Sequence, residues 1–161
     1  MHNTIYEISD RPIHKKQRAT ISCLPEWFFQ TIADSATDMD STERTASIES
    51  LDRCFGRLCT RNGNRLLFAP NLKQEYFLES HKFFKEAAAA LAETEYDVFA
   101  GIRPATAFGL ALNSISESYA DKFGCYVYDP DCEELFALDT WIRSVDVSKP
   151  YYIGGTVGYH C

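Results

Sequence analysis

Between residues 72 and 93 apolar side chains recur at the spacing of one helix face. With Phe77 as reference, Phe84, Ala88 and Leu91 lie within about 40° of it at about 100° per residue, and Tyr76, Phe83 and Ala87 widen the stripe. Glu75, Glu79, Lys82, Glu86 and Glu93 line the opposite side, and four alanines at 87–90 supply high helix propensity. The pattern predicts a long amphipathic scaffold helix over 72–93, laid across a sheet. A second helix is predicted over 104–122, with Phe108, Ala111, Leu112, Ile115 and Tyr119 on one face and Gly124 as terminator. A third, over 42–59, gathers Ile48, Leu51, Phe55, Leu58 and Cys59; Asp40 and Glu43 have the spacing of a capping box at its start. Pro25 opens a short helix over 26–33 that buries Trp27, Phe28 and Ile32.

Elsewhere the period is two. Residues 4–8 alternate as a first strand, ended by Asp10 and Pro12, and residues 65–69 and 96–102 read as short extended segments. Residues 125–129 and 133–143 predict an antiparallel hairpin turning at Asp129-Pro130-Asp131. A last strand over 150–159 carries Gly154 and Gly155 at a bulge or close approach. The acidic stretch 34–40 is expected to be a connection. Helices grouped between a first strand and a run of later strands predict an α+β fold. In it, an antiparallel sheet, formed from the N-terminal strand and a C-terminal meander, is packed on one face by three to four helices.

Composition bounds what this fold does. The chain has 161 residues, 45% of them hydrophobic and 24% charged, which predicts one globular domain over 1–161. A net charge of −7 argues against nucleic acid as a partner, because phosphate binding draws on clustered cations and only His14–Arg18 forms a basic run. Asp34, Asp38, Asp40, Glu43, Glu49 and Asp52 form a local acidic cluster with the character of a solvated surface. The first residues lack the basic and apolar regions of a secretory signal, and no stretch has the length of a membrane span. The expectation is a cytoplasmic protein with reduced thiols and no membrane partner.

Six cysteines and four histidines raise metal chemistry first. No cysteine pair has the spacing of a zinc knuckle, and Cys54 and Cys59 lie about 140° apart on one helix, so no metal is expected and the thiols read as buried. Asp129, Asp131, Glu133 and Glu134 lack the glycine and the terminal acid of a calcium loop. Cys23, before the Pro25 helix, and His81, at the margin of the long helix's apolar stripe, are the candidates for thiol catalysis of a Cys/His hydrolase kind. Gly101, Arg103 and Thr106 would bind a small anion or phosphometabolite if a strand over 96–102 passed directly into the helix from Pro104. No cofactor fingerprint is present, and none is expected to be bound. Tyr126 and Tyr128, with Tyr151 and Tyr152, are placed to form an aromatic sheet surface for a protein partner or for self-association. The leading expectation is a non-enzymatic protein-interaction module acting through that surface. The alternative is an anion-binding or enzymatic domain centred on Arg103 and Thr106.

Overall fold

The computed structural model describes residues His2–Cys161. The chain is mixed helix and strand, and its contacts divide it into two compact units. The first comprises residues 1–73 and 122–161; the second is Gln74–Asp121.

The first unit holds a seven-stranded, mostly antiparallel sheet. Its spine is the last strand, Pro150–His160, which pairs along its length with the first, β1 (His2–Ser9). The other edge of the last strand is shared. β2 (Ser35–Asp38) covers Val157–His160, and β4 (Arg65–Phe68) covers Pro150–Tyr152 and pairs in turn with β3 (Cys59–Asn62). Beyond β1 lie β5 (Tyr126–Asp129) and β6 (Glu134–Ala137), and the spine is numbered β7. The pairing of β1 with β5 is parallel, through Ile5↔Tyr126 to Glu7↔Tyr128, so the late strands are not a simple meander.

Consecutive residues Ile5 to Ser9 are all buried, although their side chains alternate between faces. That requires cover on both sides, where one was expected. Ile5, Tyr128, Val157 and Tyr159 pack on one face against Phe28 and Leu24, with Phe28 of α1 (Glu26–Thr31) meeting Tyr126 and Tyr159 edge to face. Tyr6 points to the other face and donates to the Ser47 carbonyl of α2 (Ser41–Phe55). On that side Phe68 joins Phe55 of α2 to Trp141 of a short helix, Leu138–Ser144.

Several segments depart from the expected elements, each for a local reason. Residues 133–143 are not one strand: after β6 the chain turns helical, since Leu138, Trp141, Ile142 and Val145 recur at i, i+3, i+4 and i+7 and are all buried. The polar segment 34–40 contains β2, held by backbone pairing to an otherwise open edge of β7. The helix predicted over 42–59 stops at Phe55; Gly56 leaves it with positive φ, and Cys59 opens β3. The helix predicted over 72–93 is two: α3 (Leu72–Tyr76) and α4 (Leu78–Ala92), with the boundary between units after Lys73.

The second unit consists of α4, a single turn α5 (Tyr96–Phe99) and α6 (Thr106–Tyr119); the helix at Leu138–Ser144 is therefore α7. Residues 96–102 thus form no strand. Gly101 ends the turn at φ 74°, a conformation that disfavours side chains with a Cβ. α4 and α6 pack together, and small residues are what they bury, Ala87 on one and Ala111 and Ser118 on the other.

Candidate interaction face

α6 has one charged residue, Glu117, in 14 positions. A helix with so little charge and so broad an apolar stripe needs that stripe covered. α6 packs with α4, and of its residues only Ala111 and Ser118 are fully buried. Relative to Ala111, at about 100° per residue, Ile115, Phe108, Tyr119 and Leu112 fall at roughly 40°, 60°, 80° and 100°. Their exposure follows: Ile115 and Phe108 are half-buried, whereas Leu112 is 48% and Tyr119 69% exposed. The intervals 108, 112, 115, 119 are the 4-3-4 spacing of a helix-packing seam.

The seam continues beyond α6. Phe99 of α5 meets Phe108 edge to face, with centroids 6.0 Å apart, and is itself 70% exposed. Tyr96, one turn earlier, and Ile102, after it, are 76% and 68% exposed. Isolated exposed apolar residues are ordinary, but a contiguous run of large ones marks a contact surface. Acidic residues border this run at Glu93, Glu95, Asp97 and Asp121, while Arg103 is ion-paired to Glu95.

The residues singled out from sequence fall elsewhere. Gly101, Arg103 and Thr106 do not form an anion cradle. The segment before them is helical, Arg103 is engaged by Glu95 in the open, and α6 begins at Thr106 with no side-chain cap. Cys23 and His81 are both exposed and belong to different units. The thiols are not uniformly buried: Cys54, Cys59 and Cys125 are half-buried, while Cys23, Cys132 and Cys161 are exposed. Burial pushes the Cys59 thiol up to about 11, away from a reactive thiolate. Among the described residues no three His, Cys, Asp or Glu side chains converge as a metal-ligand set, and no helix is long and apolar enough to cross a membrane. The tyrosines do not make one patch. Tyr128 is 7% exposed in the core, Tyr126 packs on Phe28 and Tyr159, and Tyr151 packs on Phe68 and Trp141 of the opposite face. Tyr152 is half-buried.

Two concavities lie in the first unit. One, of about 470 Å³, is floored by Thr4 and Gly158 and rimmed by Ser35, Thr37, Glu43 and Ser47. Three of its polar groups are engaged within the fold: Glu43 closes the α2 capping box, and the Ser47 hydroxyl lies within hydrogen-bond distance of Met39 Sδ and Thr4 Oγ1. The other, of about 270 Å³, lies at the carboxyl ends of the parallel strands β1 and β5, where α/β sheets often hold ligands. Its carboxylates are engaged by neighbours: Lys149 and Arg11 pair with Asp10, Arg11 pairs with Asp131, which also accepts the Ser9 hydroxyl, and Asp129 accepts the Asp131 amide.

A buried polar centre joins the sheet to its surrounding loops. β7 carries one residue more than β1 between the pairs Tyr6↔Thr156 and Ile8↔Ile153, and Glu7 sits at that bulge. Glu7 Oε2 accepts the amides of Gly155 at 2.6 Å and Ala19 at 2.8 Å. A Cβ on Gly154 would overlap the Glu7 carboxylate, and one on Gly155 would overlap the Ala19 carbonyl. Arg44 of α2 fills the gap between β2 and β4, donating to the carbonyls of Ile153 and Gly154 and to Asn64 Oδ1. Its pKa is lowered, first by burial and then by Arg18 and Arg61 nearby. These groups are tied to backbone, which makes them part of the scaffold.

No family model matches the chain, and no curated protein and no solved structure matches it either.

Proposed function

We propose that this chain is a protein-interaction module whose contact surface is the α5–α6 face of the second unit. The observation that carries this reading is the charge-free seam Phe108, Leu112, Ile115 and Tyr119, continued by Phe99 and Tyr96, with four of these six side chains exposed. Compared with the Tyr-rich sheet, this face offers larger and more contiguous apolar area.

A double variant, Leu112→Lys with Tyr119→Lys, tests whether the face is open. Substitution of exposed side chains changes stability by about 0.5 kcal/mol or less, whereas a charge forced into a core costs several. The expected result is an unchanged thermal midpoint, together with loss of the fluorescence that the wild-type chain at low concentration elicits from an apolar dye. A fall of many degrees in the midpoint, with no dye binding by the wild type, would show the face to be internal core and would overturn the reading.

A further inference from the structure

We infer that the occupant of the α5–α6 face is a second copy of this chain, joined about a two-fold axis that brings the two α6 seams together. This rests on the interaction reading above and adds the identity of the partner. Three observations lead to it.

The first is architectural. α4 and α6, of 15 and 14 residues, are matched in length and pack as a pair, yet a pair of helices encloses almost nothing. Two such pairs make a four-helix bundle, in which the helices enclose a shared interior. The small residues Ala87 and Ala111 hold each pair close, which leaves the large side chains on the flank.

The second is area. From their exposure, Tyr96, Phe99, Ile102, Leu112 and Tyr119 present on the order of 700 Å² of side-chain surface. Stable interfaces bury roughly 800 Å² on each partner. A second copy supplies the same area again, and a two-fold interface requires that one surface complement itself.

The third is charge. Self-pairing fails where it brings like charges together, and the second unit is acidic, with eight carboxylates against three cations in Gln74–Asp121, a net −5. Yet the seam carries none of that charge. Glu117 lies at roughly −120° from Ala111, between about 160° and 220° from the seam positions. Two α6 helices can therefore meet along 108, 112, 115 and 119 with Glu117, the one carboxylate of α6, turned away from the contact. A basic helical partner would instead be drawn to the acidic margin of the face.

Sedimentation equilibrium of the full chain over a range from micromolar to several hundred micromolar tests the proposal. The expected result is a monomer–dimer equilibrium that Leu112→Lys with Tyr119→Lys weakens on the order of 100-fold or more, as for the loss of two central contacts. Phe29→Lys, which changes an exposed aromatic of the first unit, should leave it unaltered. In a dimer mixed from labelled and unlabelled chains, Leu112 of one copy should show nuclear Overhauser contacts to α6 of the other. A wild-type chain that stays monomeric throughout would overturn the proposal, as would a dimer that ignores the seam variant. In the first case, retained dye binding would still support an open face and direct the search to a basic partner.

Discussion

Glu7 and Thr156 lie within the same sheet, both buried, and differ in whether their oxygens are used. Glu7 Oε2 holds two backbone amides, so Glu7→Ala leaves both without their acceptor, that of Gly155 buried and that of Ala19 half-buried. At about 1–3 kcal/mol for each orphaned group, the variant should lose roughly 2–6 kcal/mol in denaturant unfolding. Thr156 Oγ1 has no partner, so Thr156→Val removes a desolvated hydroxyl and keeps the shape. It should leave stability unchanged or raise it by up to about 2 kcal/mol. If Thr156→Val proves the more damaging of the two, the assignment of Glu7 as the anchor of the bulge is wrong. Cys59 gives the residue scale a pH signature. Its thiol titrates near 9 in the unfolded chain and near 11 in the fold, chiefly through burial. The folded state then holds a proton that the unfolded state has lost. Stability from this group is complete below pH 9 and falls as pH rises toward 11. Thermal midpoints of the wild type and Cys59→Ala, compared from pH 8 to 11, should converge across that window; a constant difference would mean that Cys59 is not desolvated.

At the scale of elements, what was legible in the sequence is what local chemistry dictates. Asp40 and Glu43 announced the start of α2, and both side chains close the capping box as their spacing requires. β1 and β7 were visible from alternation, and the glycine pair was visible as a bulge, because only a residue without a Cβ fits against Glu7 and Ala19. Other elements owe their form to partners distant in sequence. Ser35–Asp38 has Thr37 as its one strand-favouring residue, and it is a strand because β7 offers an open row of backbone groups there. The register of α7 was present in Leu138, Trp141, Ile142 and Val145, but a short apolar run satisfies period two almost as well. The burial of Tyr128 could not be foreseen, since it depends on α1 packing over the face that sequence alone left open. The face on α6 was seen as a helical stripe containing Phe108, Leu112, Ile115 and Tyr119. Its exposure was not, because an amphipathic pattern states that a face will be covered without stating by what.

At the scale of the molecule, charge and apolar area are distributed unevenly, and the imbalance predicts how association responds to salt. Of the net −7 on the whole chain, the second unit carries −5, close to the surface through which it is proposed to pair. Bringing two such units together is opposed by long-range repulsion and favoured by burial of a seam free of charge. Added salt shortens the Debye length from about 30 Å at 0.01 M to about 10 Å at 0.1 M, which screens the repulsion and leaves the apolar term nearly untouched. The dimer should therefore tighten as sodium chloride is raised from 10 to about 150 mM, read by sedimentation equilibrium at each concentration. Association with a basic partner at the same face would behave in the opposite sense, since salt would screen an attraction. A dimer that weakens with salt would mean that the two copies meet through ion pairs, and so somewhere other than the α6 seam.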